Sequence, residues 1–359
     1  MTQPNLAVVD LNAVRHNLAL AAAKAPGARI LAVIKANAYG HGAVEVARAM
    51  VDGVDAFAVA RVDEAMELRE SGISSPILLL EGPLDEDDID AAAAHGLWLM
   101  LTTQEQLDML ARARPAAAIT TWLKIDSGMH RLGLPLSDCR DACVRLAAMD
   151  HVQPGPVLAT HLACADDPDD SMTRRQLDAF DAAVAGLDLP HSVANSAAIL
   201  AWPETHRQWI RPGYMLYGGS PFERSLPAGA ELKPAMTVSS RVIALRDLDT
   251  GESVGYGATW TATRPSRIAT VPMGYGDGYP RHAANGTPVL VNGRRAPLAG
   301  RVSMDLITID VTDLPDVTID SPVELWGKQL SVDEVARHAG TIGYELLAGL
   351  PRRLGRSYV

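Results

Sequence analysis

Lys35 stands at the end of an apolar run, Leu31–Ile34, and is followed by a polar stretch carrying Asn37, Tyr39, Gly40, His41 and Gly42. A lysine becomes a nucleophile when burial or neighbouring cations lower its pKa and leave the amine neutral. Glycines after it would let the backbone approach a ligand closely, and Tyr39 could donate to a phosphate oxygen. On its own the stretch allows either a charged strand end or a nucleophile. Other reactive types recur at the ends of apolar runs: Arg61, Glu81, Lys124 with Arg131, His161, Asn195 with Ser196, and Arg211. Unpaired burial of such groups is costly, and each alone could be a paired or snorkelling charge. Together they describe a cationic site that binds an anion. The run RPGYMLYGG, 211–219, adds a Gly-rich turn with amide donors, and Asn195–Ser196 before AAIL opens a short helix whose N-terminus suits an anion. Phosphate beside a reactive lysine suggests pyridoxal 5′-phosphate (PLP).

The elements that must position these groups alternate along the first part of the chain. Short apolar runs occur at Leu31–Lys35, Ala56–Ala60, Ile77–Glu81, Leu97–Leu101, Thr121–Asp126, Val157–His161, Ser192–Asn195 and Ile210–Tyr217. Between them, segments such as VEVARAM, DEAMELRE and MTRRQLDAFDAAVAG space apolar residues by three and four, the period of a helix. Thr102 and Glu105 are spaced as a capping box. Eight strand-like runs separated by helices predict an α/β fold with an N-terminal (β/α)8 TIM barrel. An open doubly wound sheet fits eight units less naturally. In such a barrel, functional residues lie at the carboxyl ends of the strands, which is where the reactive types fall.

After about residue 231 the pattern changes to short β-like runs, including MTVSSRVIALR, SRIATVPMG, TPVLVNG, LITIDVTD and PVELWG. One clear helix is expected there, opened by a Ser331–Glu334 capping box. The predicted division is a PLP-binding barrel over residues 1–230 and a mostly β C-terminal domain over 231–359. The boundary falls in the Pro- and Gly-rich stretch PFERSLPAGAELKP.

Composition narrows the function further. The 359 residues carry a net charge of −11, which argues against a nucleic-acid partner. No uncharged stretch approaches membrane-span length, and the N-terminal residues do not resemble a signal peptide. Cys139, Cys143 and Cys164 form neither a CxxC pair nor an even framework, as expected of reduced thiols in the cytoplasm. No metal is expected: His41 and His130 lack spaced partners to complete a site. GYGDG, 274–278, lacks the spacing of a dinucleotide fingerprint.

Several motifs together carry a resemblance. AVIKANAYGHG at 32–42, KIDSGMHRLG at 124–133, HLACAD at 161–166, NSAA at 195–198 and RPGYMLYG at 211–218 resemble alanine racemase. VGYGATW at 254–260, MGYGDGYPR at 273–281 and GRVSMDL at 300–306 add to it in the second domain. The likeness runs from VDLNAVRHN at residue 9 to GYELLAGLPRR near the end. Ser303 stands where relatives often have Cys, and ELLAGLPRRLGRSYV departs from the usual ending.

The resemblance implies roles. Lys35 would bind PLP covalently, Arg211 would face the pyridine nitrogen, and His161 would hydrogen-bond Arg211. Tyr39, Ser196, Gly213 and Tyr344 would hold the phosphate. Arg131 would contact the cofactor's phenolic oxygen and the substrate carboxylate, steadied by Lys124, a position often carbamylated in the family. Lys35 and Tyr256 would be opposed bases interconverting L- and D-alanine, Tyr256 coming from the partner of a homodimer. Met304 would supply a backbone donor to the carboxylate, and Tyr275 would narrow the entrance. A phenol is a weak base at neutral pH, so positive charge must lie near the tyrosine, and Arg281 is a candidate for it. The rival readings are a PLP enzyme of the same fold, either a broader-specificity racemase or an amino-acid decarboxylase, and a non-catalytic PLP carrier. A carrier needs no second base, and a decarboxylase of this fold pairs the pyridine nitrogen with a carboxylate.

Overall fold

The computed structural model describes residues 5–222 and 231–359, so the expected domain boundary after residue 230 falls where residues 223–230 lie outside the described residues. Eight parallel strands close in chain order into a barrel: Arg29–Val33, Ala56–Val59, Ile77–Leu79, Leu97–Leu101, Thr121–Lys124, Val157–Ala159, His191–Ser192 and Trp209–Ile210. The last strand pairs with the first, Arg29 opposite Trp209 and Ile30 opposite Ile210. The expected barrel is therefore present, with each strand inside or beside its apolar run.

The runs are apolar throughout because both faces of each strand are covered. Leu31, Ala58, Leu78, Met100, Trp122 and Trp209 fill the barrel interior. Their neighbours in sequence, among them Ile30, Ala32, Phe57, Val59 and Leu79, pack outward beneath the helices. Trp122 and Trp209 meet with ring centroids 5.3 Å apart and tilted by 62°. Truncating a buried ring of this size to alanine costs about 3–5 kcal/mol.

The second domain is mostly β, as the sequence suggests. A six-stranded sheet runs in the order Arg294–Pro297, Pro288–Val291, Pro322–Trp326, Met236–Arg241, Leu6–Val9 and Gly355–Tyr358. A three-stranded sheet joins Ala244–Leu248, Ser266–Val271 and Ile307–Asp310, and a hairpin pairs Ser253–Val254 with Trp260–Thr261.

Four local expectations are corrected. Leu6–Val9, expected within residues 1–230, belongs to the second domain's sheet, antiparallel to Met236–Arg241 and parallel to Gly355–Tyr358. Ala7 and Val9 bury their side chains in that domain's core, which fixes the strand there. The helix Gln104–Arg112 is capped one residue later than expected. Thr103 accepts from Gln106 N–H at 3.2 Å, while the Gln106 side chain accepts from Thr102 N–H at 2.7 Å. At Val332–His338, Ser331 caps Asp333 N–H instead, and Glu334 turns away to pair with Arg295. A second helix, Gly343–Ala348, accompanies it. Among the described residues no helix is long and apolar enough to cross a membrane.

Candidate active site

A cavity of about 1380 Å³ opens at the carboxyl ends of the barrel strands and reaches the second domain. Its wall gathers Lys35, Tyr39, Glu81, Lys124, Arg131, His161, Asn195, Ser196, Arg211 and Gly213 from the barrel, and Tyr344 from the second domain. Arg61 is not among them. It stands exposed beside Asp63 at 3.7 Å, because the chain enters the helix Val62–Glu70 directly after it.

Lys35 is followed by an unusual backbone. Ala36, Asn37, Ala38 and Tyr39 have φ of 52°, 55°, 52° and 51°, one turn of left-handed helix. This conformation costs L-residues roughly 1–2 kcal/mol each, so surrounding contacts must hold it. Gly40 and Gly42 serve that purpose. A Cβ on Gly40 would lie 2.0 Å from the Leu347 carbonyl oxygen, and one on Gly42 2.0 Å from the Tyr358 hydroxyl. The glycines expected to admit a ligand instead admit the second domain. Arg356 Nε also donates to the Gly40 carbonyl at 2.7 Å. His41 is fully buried, stacked on Tyr217 with its Nδ1 2.9 Å from the Tyr39 carbonyl. Burial pulls its pKa down to about 4.

The cationic groups depress one another. Burial lowers the pKa of Lys35, and the Arg131 charge adds to the effect while Glu81 and Glu64 oppose it. Burial brings Lys124 down to about 8, with further push from Arg211 and Arg131. His161 is held well below its ordinary value by burial and then by Arg211. These are the surroundings in which a lysine amine becomes reactive at neutral pH.

Arg211 is buried, and its two terminal nitrogens are occupied. Nη1 donates to Ser192 Oγ at 2.7 Å, and Nη2 faces the Thr160 carbonyl at 2.6 Å, His161 Nδ1 at 3.2 Å and the Val193 carbonyl at 3.2 Å. Among the described residues its Nε makes no hydrogen bond, so the guanidinium keeps a donor at the cavity wall. Burial lowers Arg211 to about 10, still protonated at neutral pH.

At the other end, four residues form one contiguous group. Ser196 opens the helix Ser196–Ala201, capped by Asn195, whose side chain accepts from Ala198 N–H at 3.0 Å. Ser196 Oγ accepts from Gly213 N–H at 3.0 Å and Met215 N–H at 3.3 Å, leaving its own proton to donate. A Cβ on Gly213 would stand 3.0 Å from the Tyr39 hydroxyl, so glycine there lets Tyr39 approach. The Tyr39 and Tyr344 rings lie 6.1 Å apart. Burial raises the Tyr39 phenol to about 12, and Tyr344 also upward, so both remain donors. Lysine, free guanidinium donor and hydroxyl cluster fit PLP by chemistry: an amine for its aldehyde, a donor for its ring nitrogen and donors for its phosphate.

Tyr256, Tyr275 and Met304 are outside the cavity. They are 72%, 42% and 54% exposed on the second domain. Tyr275 and Met304 are neighbours through Tyr275 N–H to the Ser303 carbonyl, 3.0 Å, and Gly276 N–H to the Met304 carbonyl, 2.8 Å. The Arg301 guanidinium lies beside Gly257, the residue after Tyr256, its Cζ 3.7 Å from where Gly257 would carry a Cβ. Sequence reasoning missed Arg301, as it missed Tyr214, Asp333 and Asp166 in the cavity wall. In sequence the SVDE segment at 331–334 signals only a helix start. Among the described residues no group of acidic, histidine or cysteine side chains could hold a metal.

Comparison with known proteins bears on both halves of the chain. The family model for the alanine racemase N-terminal domain matches residues 9–221, and that for its C-terminal domain matches 235–358. The alanine racemase of Chromohalobacter salexigens is 50% identical over 358 residues, covering 100% of this chain and 98% of that protein. The crystal structure of biosynthetic alanine racemase from Pseudomonas aeruginosa has a TM-score of 0.97 at 49% identity, with 100% of both chains covered. That of alanine racemase from Bartonella henselae, with covalently bound pyridoxal phosphate, has a TM-score of 0.90 at 30% identity, again with 100% of both covered. Matched in both domains and superposing along its whole length, the chain belongs to the alanine racemase family.

Proposed function

We propose that the protein is a PLP-dependent alanine racemase, interconverting L- and D-alanine as a homodimer with shared active sites. The observation that carries this reading is a division of labour. Lys35 stands in the cavity wall, whereas Tyr256 projects, 72% exposed, from the second domain outside it. Racemisation requires a proton to leave one face of Cα and return on the other, which two opposed bases supply.

When bound, PLP draws electron density from the substrate's Cα and makes its proton removable. Lys35 Nζ, its proton affinity reduced by burial and by Arg131, takes or returns that proton on the face serving D-alanine. The phenolic oxygen of Tyr256 of the partner subunit does so on the face serving L-alanine. Arg211 would offer Nε to the ring nitrogen while keeping its proton, so charge stays nearer Cα and transamination is limited. His161 and Ser192 hold that guanidinium in place. Ser196, Tyr39 and Tyr344 donate to the phosphate, and Gly213 leaves room for the Tyr39 hydroxyl. Arg131 meets the substrate carboxylate, with Met304 and Tyr275 of the partner subunit closing the site. Free thiols at Cys139, Cys143 and Cys164 support a cytoplasmic location. A division after residue 230, with Leu6–Val9 contributed to the second domain, completes the reading.

The test is D-alanine production from L-alanine by wild type, Lys35→Ala, Tyr256→Phe and a mixture of the two variants. Wild type should be active and each variant severely impaired. Subunit exchange in the mixture should restore activity, because a mixed dimer has one site with both bases intact. Inactive wild type would sink the racemase reading, and a mixture no better than its parts would sink the shared site.

A further inference from the structure

Glu64 does not line the cavity, yet its carboxylate grips the backbone that carries Lys35. Oε1 accepts from Ala36 N–H at 2.5 Å, and Oε2 accepts from Ala60 N–H at 2.7 Å. Ala36 begins the left-handed turn immediately after Lys35, and Ala60 directly follows the neighbouring barrel strand Ala56–Val59. Glu64 itself lies in the first turn of the helix Val62–Glu70, which leaves that strand's end. One carboxylate thus ties two adjacent strand ends together at the point where the chain adopts positive φ. The far end of the turn is fixed separately, by Asn37 Oδ1 accepting from Ala43 N–H at 2.8 Å and by Arg356 on the Gly40 carbonyl.

We propose that Glu64 is a positioning residue for Lys35, holding the turn Ala36–Tyr39 left-handed so that the lysine amine is presented to the cavity. The importance for catalysis rests on the function proposed above; the contact itself does not. A glutamate is required because both oxygens must accept. A glutamine isostere turns one donor toward a backbone N–H and leaves that N–H without an acceptor. Ala36 is exposed, so Ala36→Gly removes the steric penalty of positive φ without opening the core.

The experiment uses apoprotein of wild type, Glu64→Gln, Ala36→Gly and the double variant. PLP is titrated into each while absorption of the lysine-bound cofactor is followed, and amide exchange over residues 35–40 is measured without cofactor. Glu64→Gln should weaken PLP binding about tenfold and speed exchange at Ala36 by about the same factor. The double variant should recover PLP binding, since glycine relieves the positive φ at the one position whose N–H Glu64 holds. A role confined to stabilising the helix Val62–Glu70 would give no such rescue. PLP binding by Glu64→Gln indistinguishable from wild type, or a double variant no better than Glu64→Gln, overturns the proposal. Should wild type take up no PLP while exchange responds as described, the cofactor reading fails and the hold on the turn stands.

Discussion

The hydroxyl of Tyr214 donates a 2.5 Å hydrogen bond to Oδ1 of Asp333, fastening the barrel to the second domain at the cavity wall. Tyr214 belongs to the barrel by sequence but to the second domain's core by packing. Its ring lies face to face with Tyr344, centroids 3.6 Å apart at 13°. Glycines clear the space around it: a Cβ on Gly343 would lie 2.0 Å from the Tyr214 hydroxyl, and one on Gly219 2.2 Å from Tyr214 Cζ. Asp333 Oδ2 accepts from Ser220 N–H at 2.9 Å, completing the fastening.

Tyr214→Phe keeps the stack but strands Asp333 Oδ1, and should destabilise the protein by about 1–3 kcal/mol. Gly343→Ala should cost more, since its methyl displaces the Tyr214 hydroxyl. Denaturant melts measure both, and PLP release should quicken in Gly343→Ala, where displacing Tyr214 disturbs the Tyr344 ring stacked on it. Gly343→Ala as stable as wild type would show that the slot is not tight.

His41 makes stability depend on pH. Its folded pKa is about 4 against an unfolded value near 6.5, so the unfolded chain binds the proton first as pH falls. The contribution is fully present above about pH 6.5 and is lost as pH drops through that window toward 4, on the order of 3 kcal/mol. Chemical denaturation at pH 7, 6 and 5 should show falling stability, less steeply in His41→Gln. Equal slopes in the two proteins would place the acid sensitivity elsewhere, His161 being the next candidate.

Arg211→Glu should abolish most racemisation, by about 10²-fold or more, and raise side transamination. A carboxylate lets the ring nitrogen hold a proton, which makes it a stronger electron sink. Pyruvate appearing alongside a slower D-alanine rate is the expected signature. Loss of racemisation with no pyruvate would mean that Arg211 serves only to hold the barrel end.

Lys124, brought to about 8, has neutral amine available near physiological pH to add to CO2, forming a carbamate and releasing a proton. The resulting anion would balance Arg131 and Arg211 beside it. Native mass spectrometry in bicarbonate should find the added CO2, and Lys124→Ala should lose both that mass and affinity for the substrate carboxylate. An unmodified Lys124 under bicarbonate would set the idea aside.

The barrel was legible because each strand is buried on both faces, which writes an uninterrupted apolar run into the sequence. Lys35, His161 and Arg211 were legible because polar types end such runs. Tyr214 and Asp333 were not, since a tyrosine in a Gly-rich turn and an aspartate in a helix's first turn each have a local explanation. Only the packing of the domains brings them together. Gly40 and Gly42 show in sequence that backbone comes close there, but not that it comes close to Leu347 and Tyr358. The cap at Thr103 rather than Thr102 turned on one residue of register, and the helix Gly343–Ala348 is too short to establish a period.

The strand Leu6–Val9 sets an order of events during synthesis. It precedes every barrel strand in the chain, yet its two sheet neighbours, Met236–Arg241 and Gly355–Tyr358, follow them all. The barrel strands can assemble while the chain is still growing, but this segment must wait, unpaired and apolar, until both later strands have been made. Closure of the six-stranded sheet is therefore a late step with a long loop to close. The same step brings Arg356 and Tyr358 against the turn that follows Lys35, so the reactive lysine gains its full support only when the last strand docks.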